Sequence, residues 1–269
     1  MSDRRTVLTI AGSDSSAGAG IQADLKTFAA LGVYGTSAIT AVTAQSTVGI
    51  VDMVTLSADF VTAQMEAVAG DITLHATKTG MLATAAIVEA VAAAIKSLEL
   101  PRVVVDPVMV SKSGAYLLDD DGVVMLRAEL LPCSAVVTPN IPEAEILSGR
   151  RIESIEDARA AAFEIHQMGA SAVVITGGHG PGNEIVDLLF DGHLFTELHT
   201  MRIATPNTHG TGCTFASAIA ANLALGHPVL DAIVRAQDYV RGAIQHALAI
   251  GHDHGPLEHF WNGVKEGTG

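Results

Sequence analysis

The sequence predicts an α/β fold, a three-layer α/β/α sandwich with a central, mostly parallel sheet and an antiparallel edge. Three observations carry this expectation. Short apolar runs bounded by Gly, Pro, Asn or Asp alternate with segments of helical spacing. Hydrophobic residues make up 49% of the chain but aromatic ones only 4%, so the core consists of Ala, Val, Ile and Leu at short backbone distances, as a sheet buried on both faces requires. The length of 269 residues fits one large α/β domain, because alternating layers can enlarge a single core to about 250 residues. One domain over residues 1–269 is therefore expected, without repeats or a linker.

The runs Val7–Ile10, Ser37–Val42, Val103–Val105, Val136–Thr138 and Ala172–Thr176 read as buried strands. A helix starts near Ile21, after the first of them. Ile87, Val91, Ile95 and Leu98 mark one helical face, and Ala158, Ala162, Ile165 and Met168 another. Their alternation with strands predicts right-handed βαβ crossovers. Ile185–Phe190 and His193–His199 flank Asp191-Gly192, a pair suited to the positive φ angles of a type I′ turn, and so read as a hairpin at the antiparallel edge. Two long helices follow, near Thr214–Leu225 and Val229–Ala249, with Gly226-His227-Pro228 between them.

A formal charge of −14 argues against a nucleic-acid partner, since phosphate backbones are held by Lys and Arg clusters. Small phosphates remain accessible, because helix N-termini and a divalent metal can hold them locally. Cys133 and Cys213 form no CxxC and suggest neither a disulfide framework nor a zinc site, so a reducing cytoplasm is the expected location. The N-terminal apolar stretch is too short for a signal peptide, and no run approaches membrane-spanning length, so no membrane partner is expected.

The loop Ala11 to Asp24 (AGSDSSAGAGIQAD) leaves the C-terminal end of the first strand, the edge where open α/β sheets bind ligands. Gly and Ser let the backbone approach a ligand closely, although an ordinary βα connection is the plainer reading. Gly18-x-Gly20-x-x-Ala23 makes a poor dinucleotide fingerprint, lying some eight residues beyond the strand with no acid at the required distance of about 20 residues. A Walker A loop is excluded, because no GxxxxGK[ST] occurs.

Asn207 to Thr214 (NTHGTGCT) precedes a helix of small residues. Its glycines would aim several N–H groups at one point, and the positive end of the helix dipole makes the turn an anion site suited to a phosphoryl group in transit. Cys213, placed at that end, is expected to have more thiolate character than a free thiol and to accept or polarise an alcohol proton. Its plainer reading is a small residue packing the helix start. His209 reads as a turn residue capping backbone groups.

Asp106-Pro107 and Thr138-Pro139-Asn140-Ile141-Pro142-Glu143 put polar and acidic groups directly after two strands. Beside a nucleotide such acids serve as direct or water-mediated ligands for Mg²⁺. Asn140 is equally well spaced to be an N-cap with Glu143 as its capping-box partner. The tail from His252 to His259 contains metal-ligand residue types, but its Gly-Pro break and terminal position suit a solvated segment.

In order along the chain, AGSDSSAGAGIQAD, TAVTAQST, KTGML, VVVDPVMVSKSG, TPNIPEAE and NTHGTGCT resemble the hydroxymethylpyrimidine/phosphomethylpyrimidine kinases. The resemblance spans Ala11 to Thr214 and implies a ribokinase-like fold, a homodimer, and phosphorylation of the pyrimidine alcohol and then of its monophosphate by ATP and Mg²⁺. It implies that Gln45 reads the aminopyrimidine edge in a pocket formed with Gly12, Asp24, Val42, Met81 and Val108. Asp106, Asn140, Thr176 and Gly178 would lie on the ATP side, and Asp106 and Glu143 would organise the metal. Gly210, Thr211 and Gly212 would form the anion hole, with Cys213 in the place of the superfamily's catalytic base. Ser111-Lys112-Ser113-Gly114 would belong to a mobile flap over the substrate. Thr176-Gly177-Gly178-His179 departs from the family, many of whose members carry Lys where this chain has Thr176. Pyridoxal kinases carry Thr there, which favours vitamin B6 kinase activity as the alternative; a non-catalytic ligand-binding relative is a separate one.

Overall fold

The computed structural model describes residues 4–110, 116–178 and 182–263. In chain order the elements are β1 (Thr6–Asp14), α1 (Gly20–Ala30), β2 (Tyr34–Gln45), β3 (Ile50–Thr55), α2 (Ala58–Ala69), β4 (Ala76–Thr79), α3 (Ala85–Ser97), β5 (Val103–Val105), α4 (Asp120–Met125), β6 (Val136–Val137), α5 (Ile141–Ser148), α6 (Ile155–Gln167), β7 (Val173–Ile175), β8 (Glu184–Phe190), β9 (Phe195–Met201), α7 (Thr211–Ala224) and α8 (Val229–Gln245). The strands among these residues form one sheet in the order β3-β2-β1-β4-β5-β6-β7-β8-β9.

β2, β1, β4, β5, β6 and β7 run parallel, while β3 pairs antiparallel with β2 at one edge and, at the other, β8 pairs antiparallel with both β7 and β9. The expected sandwich and hairpin edge are present, and a second antiparallel edge accompanies them. From β1 the chain moves outward to β2 and β3, then returns to place β4 on the other side of β1. Connections therefore diverge between β1 and β4, and the crevice at their C-terminal ends is a topological switch point.

Alternation along each strand divides the core into two layers. Leu8, Ile10, Val103, Val105, Val173 and Ile175 face one way, with α2, α3 and α6 packed over them. Val7, Val104, Val136 and Val174 face the other way, toward Phe28 of α1 and the apolar residues of α7 and α8. Every residue of α7 from Thr214 to Ala224 is buried, which is why its sequence is restricted to small and aliphatic side chains with few exceptions.

Two local expectations are corrected. Phe190 pairs with Phe195, so the hairpin turn has four residues rather than two. Asp191 Oδ1 closes it by accepting from the N–H groups of His193 (2.8 Å) and Leu194 (2.7 Å), a side-chain bond that competes successfully with the backbone-only I′ turn. α7 begins at Thr211, three residues before the expected start, because Gly210 at φ +84° initiates it from the left-handed region. Among the described residues, no helix is long and apolar enough to cross a membrane.

Candidate active site

A cleft of about 750 Å³ opens at the C-terminal ends of the parallel strands. Its first wall is the loop after β1, organised by Asp14. Asp14 Oδ1 accepts from the Ser16 N–H (2.8 Å) and hydroxyl (2.7 Å), and Oδ2 from the N–H groups of Gly18 (3.1 Å) and Ala19 (2.9 Å). His209 Nε2 lies 3.0 Å from the same Oδ2. Burial works to raise the Asp14 pKa, but these bonds, led by that from His209, hold it down at about 2. Gly12 lies behind the loop, and a Cβ there would stand 2.3 Å from Met81 Cε, so the bare backbone lets Met81 lie across β1. Gln45 at the end of β2 sits 3.0 Å from the Thr43 hydroxyl. Gly12, Gln45, Met81 and Val108 all line the cleft.

The first turn of α7 forms the second wall, from Gly210, Thr211, Gly212 and Cys213. No side chain caps this turn, which lines the cleft with the positive end of the helix behind it. A Cβ on Gly210 would meet Gly18 O at 1.8 Å, so this turn and the β1–α1 loop interlock backbone to backbone. Cys213 is half-buried at the base of the cleft. Its expected thiolate character is not found: burial pushes the thiol up to about 12, and Asp106 and Asp24 add to that against the opposing pull of Lys78. Cys213 is a neutral thiol at neutral pH.

The third wall is acidic. Asp106 follows β5, and Asn140 and Glu143 begin α5 as a complete capping box: Asn140 Oδ1 accepts the Glu143 N–H at 3.0 Å, and Glu143 Oε2 accepts the Asn140 N–H at 3.0 Å. Burial raises the pKa values of both Asp106 and Glu143, and their mutual repulsion raises Glu143 further. Asp106 Oδ2 is buried without a hydrogen-bond partner. Two crowded carboxylates with one unsatisfied oxygen suit a divalent cation. Mg²⁺ needs no more, because it retains waters and takes phosphate oxygens as its other ligands. Among the described residues, no group of three or more His, Cys, Asp or Glu forms an all-protein metal cage. Thr176 and Gly178 also line this side, where the Thr176 N–H bonds Pro139 O at 2.9 Å.

Two expected pocket residues lie outside the cleft lining. Asp24 is fully buried on α1, where its carboxylate takes Lys78 Nζ at 3.0 and 3.1 Å and the hydroxyls of Thr9 and Ser217, both at 2.6 Å. Its oxygens are committed to this cluster. Val42 is 45% exposed, because the period of two along β2 puts Thr43 and Gln45 toward the cleft and Val42 on the opposite face. The flap residues Ser111-Lys112-Ser113-Gly114, and His179, lie outside the described residues.

Three features of the cleft carry no local sequence signal. Lys78 is fully buried, and burial alone would lower its pKa, but Asp24, with Cys213 and Asp106 behind it, raises it above the ordinary lysine value. Asp14 and His209 are joined across 195 residues, a pairing that no local pattern signals. At the far end of the cleft, Ile185, Ile203, Val240 and Ile244 form an apolar patch beside Asp187, which accepts from Gln237 at 2.6 Å and from the Gly177 N–H at 2.8 Å.

Residues 14–258 match the family model for phosphomethylpyrimidine kinase. The chain is 50% identical to the hydroxymethylpyrimidine/phosphomethylpyrimidine kinase of Bacillus subtilis strain 168, covering 94% of each. Among solved structures, it is similar to the phosphomethylpyrimidine kinase of Clostridium difficile 630, with a TM-score of 0.81, 41% identity and coverage of 90% of this chain and 100% of that one. It is also similar to the pyridoxal kinase of Staphylococcus aureus in complex with AMP-PCP and pyridoxal, with a TM-score of 0.88, 39% identity and coverage of 96% and 94%.

Proposed function

The chain belongs to the phosphomethylpyrimidine kinase family, and we propose that its cleft phosphorylates hydroxymethylpyrimidine to the monophosphate and then to the diphosphate, in the thiamin pathway, with ATP as donor. The observation that carries this reading is the meeting of three walls in one cleft: a polar ring-reading corner at Gln45, an uncapped helix start at Gly210–Cys213, and the acids Asp106 and Glu143.

The apolar patch of Ile185, Ile203, Val240 and Ile244 takes the adenine, and the Asn140, Thr176 and Gly178 edge takes the phosphates. Asp106, whose Oδ2 has no hydrogen-bond partner, and Glu143 would hold Mg²⁺. When bound, the metal neutralises charge on the phosphate oxygens. The N–H groups of the first α7 turn hold the phosphoryl group as it crosses to the acceptor, the main contribution in a loose transition state. The acceptor alcohol becomes acidic as its O–P bond forms. Cys213 then receives that proton while passing its own to Asp106, against which the thiol lies. The monophosphate is already anionic and needs no such transfer.

A homodimer is part of the same reading. Val54 on the edge strand β3 and its cross-strand partner Val42 on β2 are both exposed on one face, an apolar surface of the kind a partner covers. The reading is tested by ADP release on adding hydroxymethylpyrimidine to enzyme, ATP and Mg²⁺. Release that appears with the pyrimidine and is absent without it supports the assignment, and equal rates with and without it contradict it.

A further inference from the structure

The Asp14 carboxylate is ionised and can only accept hydrogen bonds, its pKa being held at about 2. His209 Nε2, 3.0 Å from Asp14 Oδ2, therefore carries a proton and donates it. The same Nε2 lies 3.4 Å from Gln45 Nε2. An amide nitrogen pointing at His209 would set two donors against each other. Exchanging the two ends of the amide puts its oxygen beside His209, where it shares the Nε2 proton with Asp14, and puts its nitrogen 3.0 Å from the Thr43 hydroxyl, to which it donates while that hydroxyl donates to Ser13 O at 3.0 Å. Each of these contacts then joins a donor to an acceptor, the criterion that assigns the two ends of an amide.

We propose that Asp14 and His209 are positioning residues that lock the Gln45 amide with its oxygen toward His209 and its nitrogen toward Thr43, and so fix the donor–acceptor order presented to the substrate ring. An amide in one fixed orientation matches an amino group beside a ring nitrogen, as an amide reads the edge of adenine. An aminopyrimidine has that edge. Pyridoxal has no amino group beside its ring nitrogen, so the lock also sets selectivity.

The His209 ring is itself held. A Cβ on Gly18 would stand 2.2 Å from His209 Cδ2, so the ring packs on bare backbone, and the His209 N–H bonds Gly255 O at 3.1 Å. Gly210, the next residue, starts the anion-binding turn. The ring-reading corner and the phosphoryl site are therefore neighbours on one segment.

This inference rests on the pyrimidine kinase reading, and two measurements separate their fates. Long-range ¹H–¹⁵N correlation spectra of the whole protein, with His209→Gln for assignment, should show a proton on His209 Nε2; a ring protonated on Nδ1 alone overturns the lock whatever the enzyme's substrate. Steady-state kinetics then test its function. His209→Ala should raise KM for hydroxymethylpyrimidine about tenfold, the effect of one misplaced hydrogen-bonding group, and leave KM for ATP within about twofold. His209→Gln, whose amide nitrogen can replace Nε2, should recover most of this. In a Gln45→Ala background, His209→Ala should add less than about twofold. Additive losses would show that His209 acts independently of Gln45 and would overturn the inference, whereas wild-type protein inactive on the pyrimidine would instead overturn the functional reading and leave the spectra to decide the lock.

Discussion

Replacing Lys78 by Met should destabilise this protein far more than removing any surface lysine, and two ion pairs with similar distances show why. Lys78 meets Asp24 at 3.0 Å with both side chains at 0% exposure, whereas Lys96 meets Glu129 at 2.8 Å with 52% and 42% exposure. Water replaces the lost partner at the second pair, so Lys96→Met should cost less than about 1 kcal/mol. At the first, Asp24 would remain a buried carboxylate held only by the Thr9 and Ser217 hydroxyls. The expected loss there is about 3–5 kcal/mol, the typical effect of breaking a buried pair. With an m-value of about 3 kcal/mol/M, that moves the urea midpoint down by about 1–1.7 M. Because the Lys78 pKa is raised in the fold, its contribution is full below the ordinary lysine value of about 10.5 and is lost only as pH rises through the higher folded value. Urea unfolding followed by circular dichroism at pH 7 measures both variants. A midpoint for Lys78→Met no lower than that for Lys96→Met would refute the buried-charge argument, and the double variant Lys78→Met/Asp24→Leu should recover much of the loss.

Cys213→Ala should slow phosphorylation of the alcohol by about 100-fold or more and that of the monophosphate only severalfold, because only the first acceptor must lose a proton; single-turnover rates measure both, and equal losses would make Cys213 a positioning group. Gly210→Ala forces a side chain onto φ +84° and to 1.8 Å from Gly18 O, so the α7 turn must shift, and kcat should fall about 100-fold from the displaced N–H groups. Asp14 is depressed from 3.8 to about 2, so its stabilisation is present above about pH 4 and lost as pH falls toward 2, amounting to roughly 2 kcal/mol. Asp14→Asn should therefore flatten the fall in stability between pH 4 and pH 2, as followed by urea midpoints, and an unchanged slope would contradict this.

What the sequence made legible is local. Val103–Val105 and the two flanks of the hairpin could be read because their apolar residues and Gly or Asp boundaries adjoin one another. The capping box of Asn140 and Glu143 was legible as one of two readings, because its three-residue spacing is its geometry. β4, with the sequence Ala-Thr-Lys-Thr, escaped notice because a buried strand containing Lys makes sense only once Asp24, 54 residues earlier, neutralises it. β3 escaped because all but one of its residues are exposed, so no burial pattern marks it. The thiol of Cys213 was misjudged for a similar reason. Helix position alone suggests a lowered pKa, whereas burial and the carboxylates of Asp106 and Asp24, brought in from other elements, decide it the other way. Asp24 and Val42 sit in motifs that run past the cleft, and only the helix face and the strand pleat decide which motif residues reach it.

The most direct test of the whole account is a competition in which the enzyme, ATP and Mg²⁺ meet equal concentrations of hydroxymethylpyrimidine and pyridoxal, with products separated by chromatography over time. Pyrimidine monophosphate should appear first and diphosphate after it, with kcat/KM for the pyrimidine well above that for pyridoxal. Pyridoxal phosphate as the dominant product would contradict it.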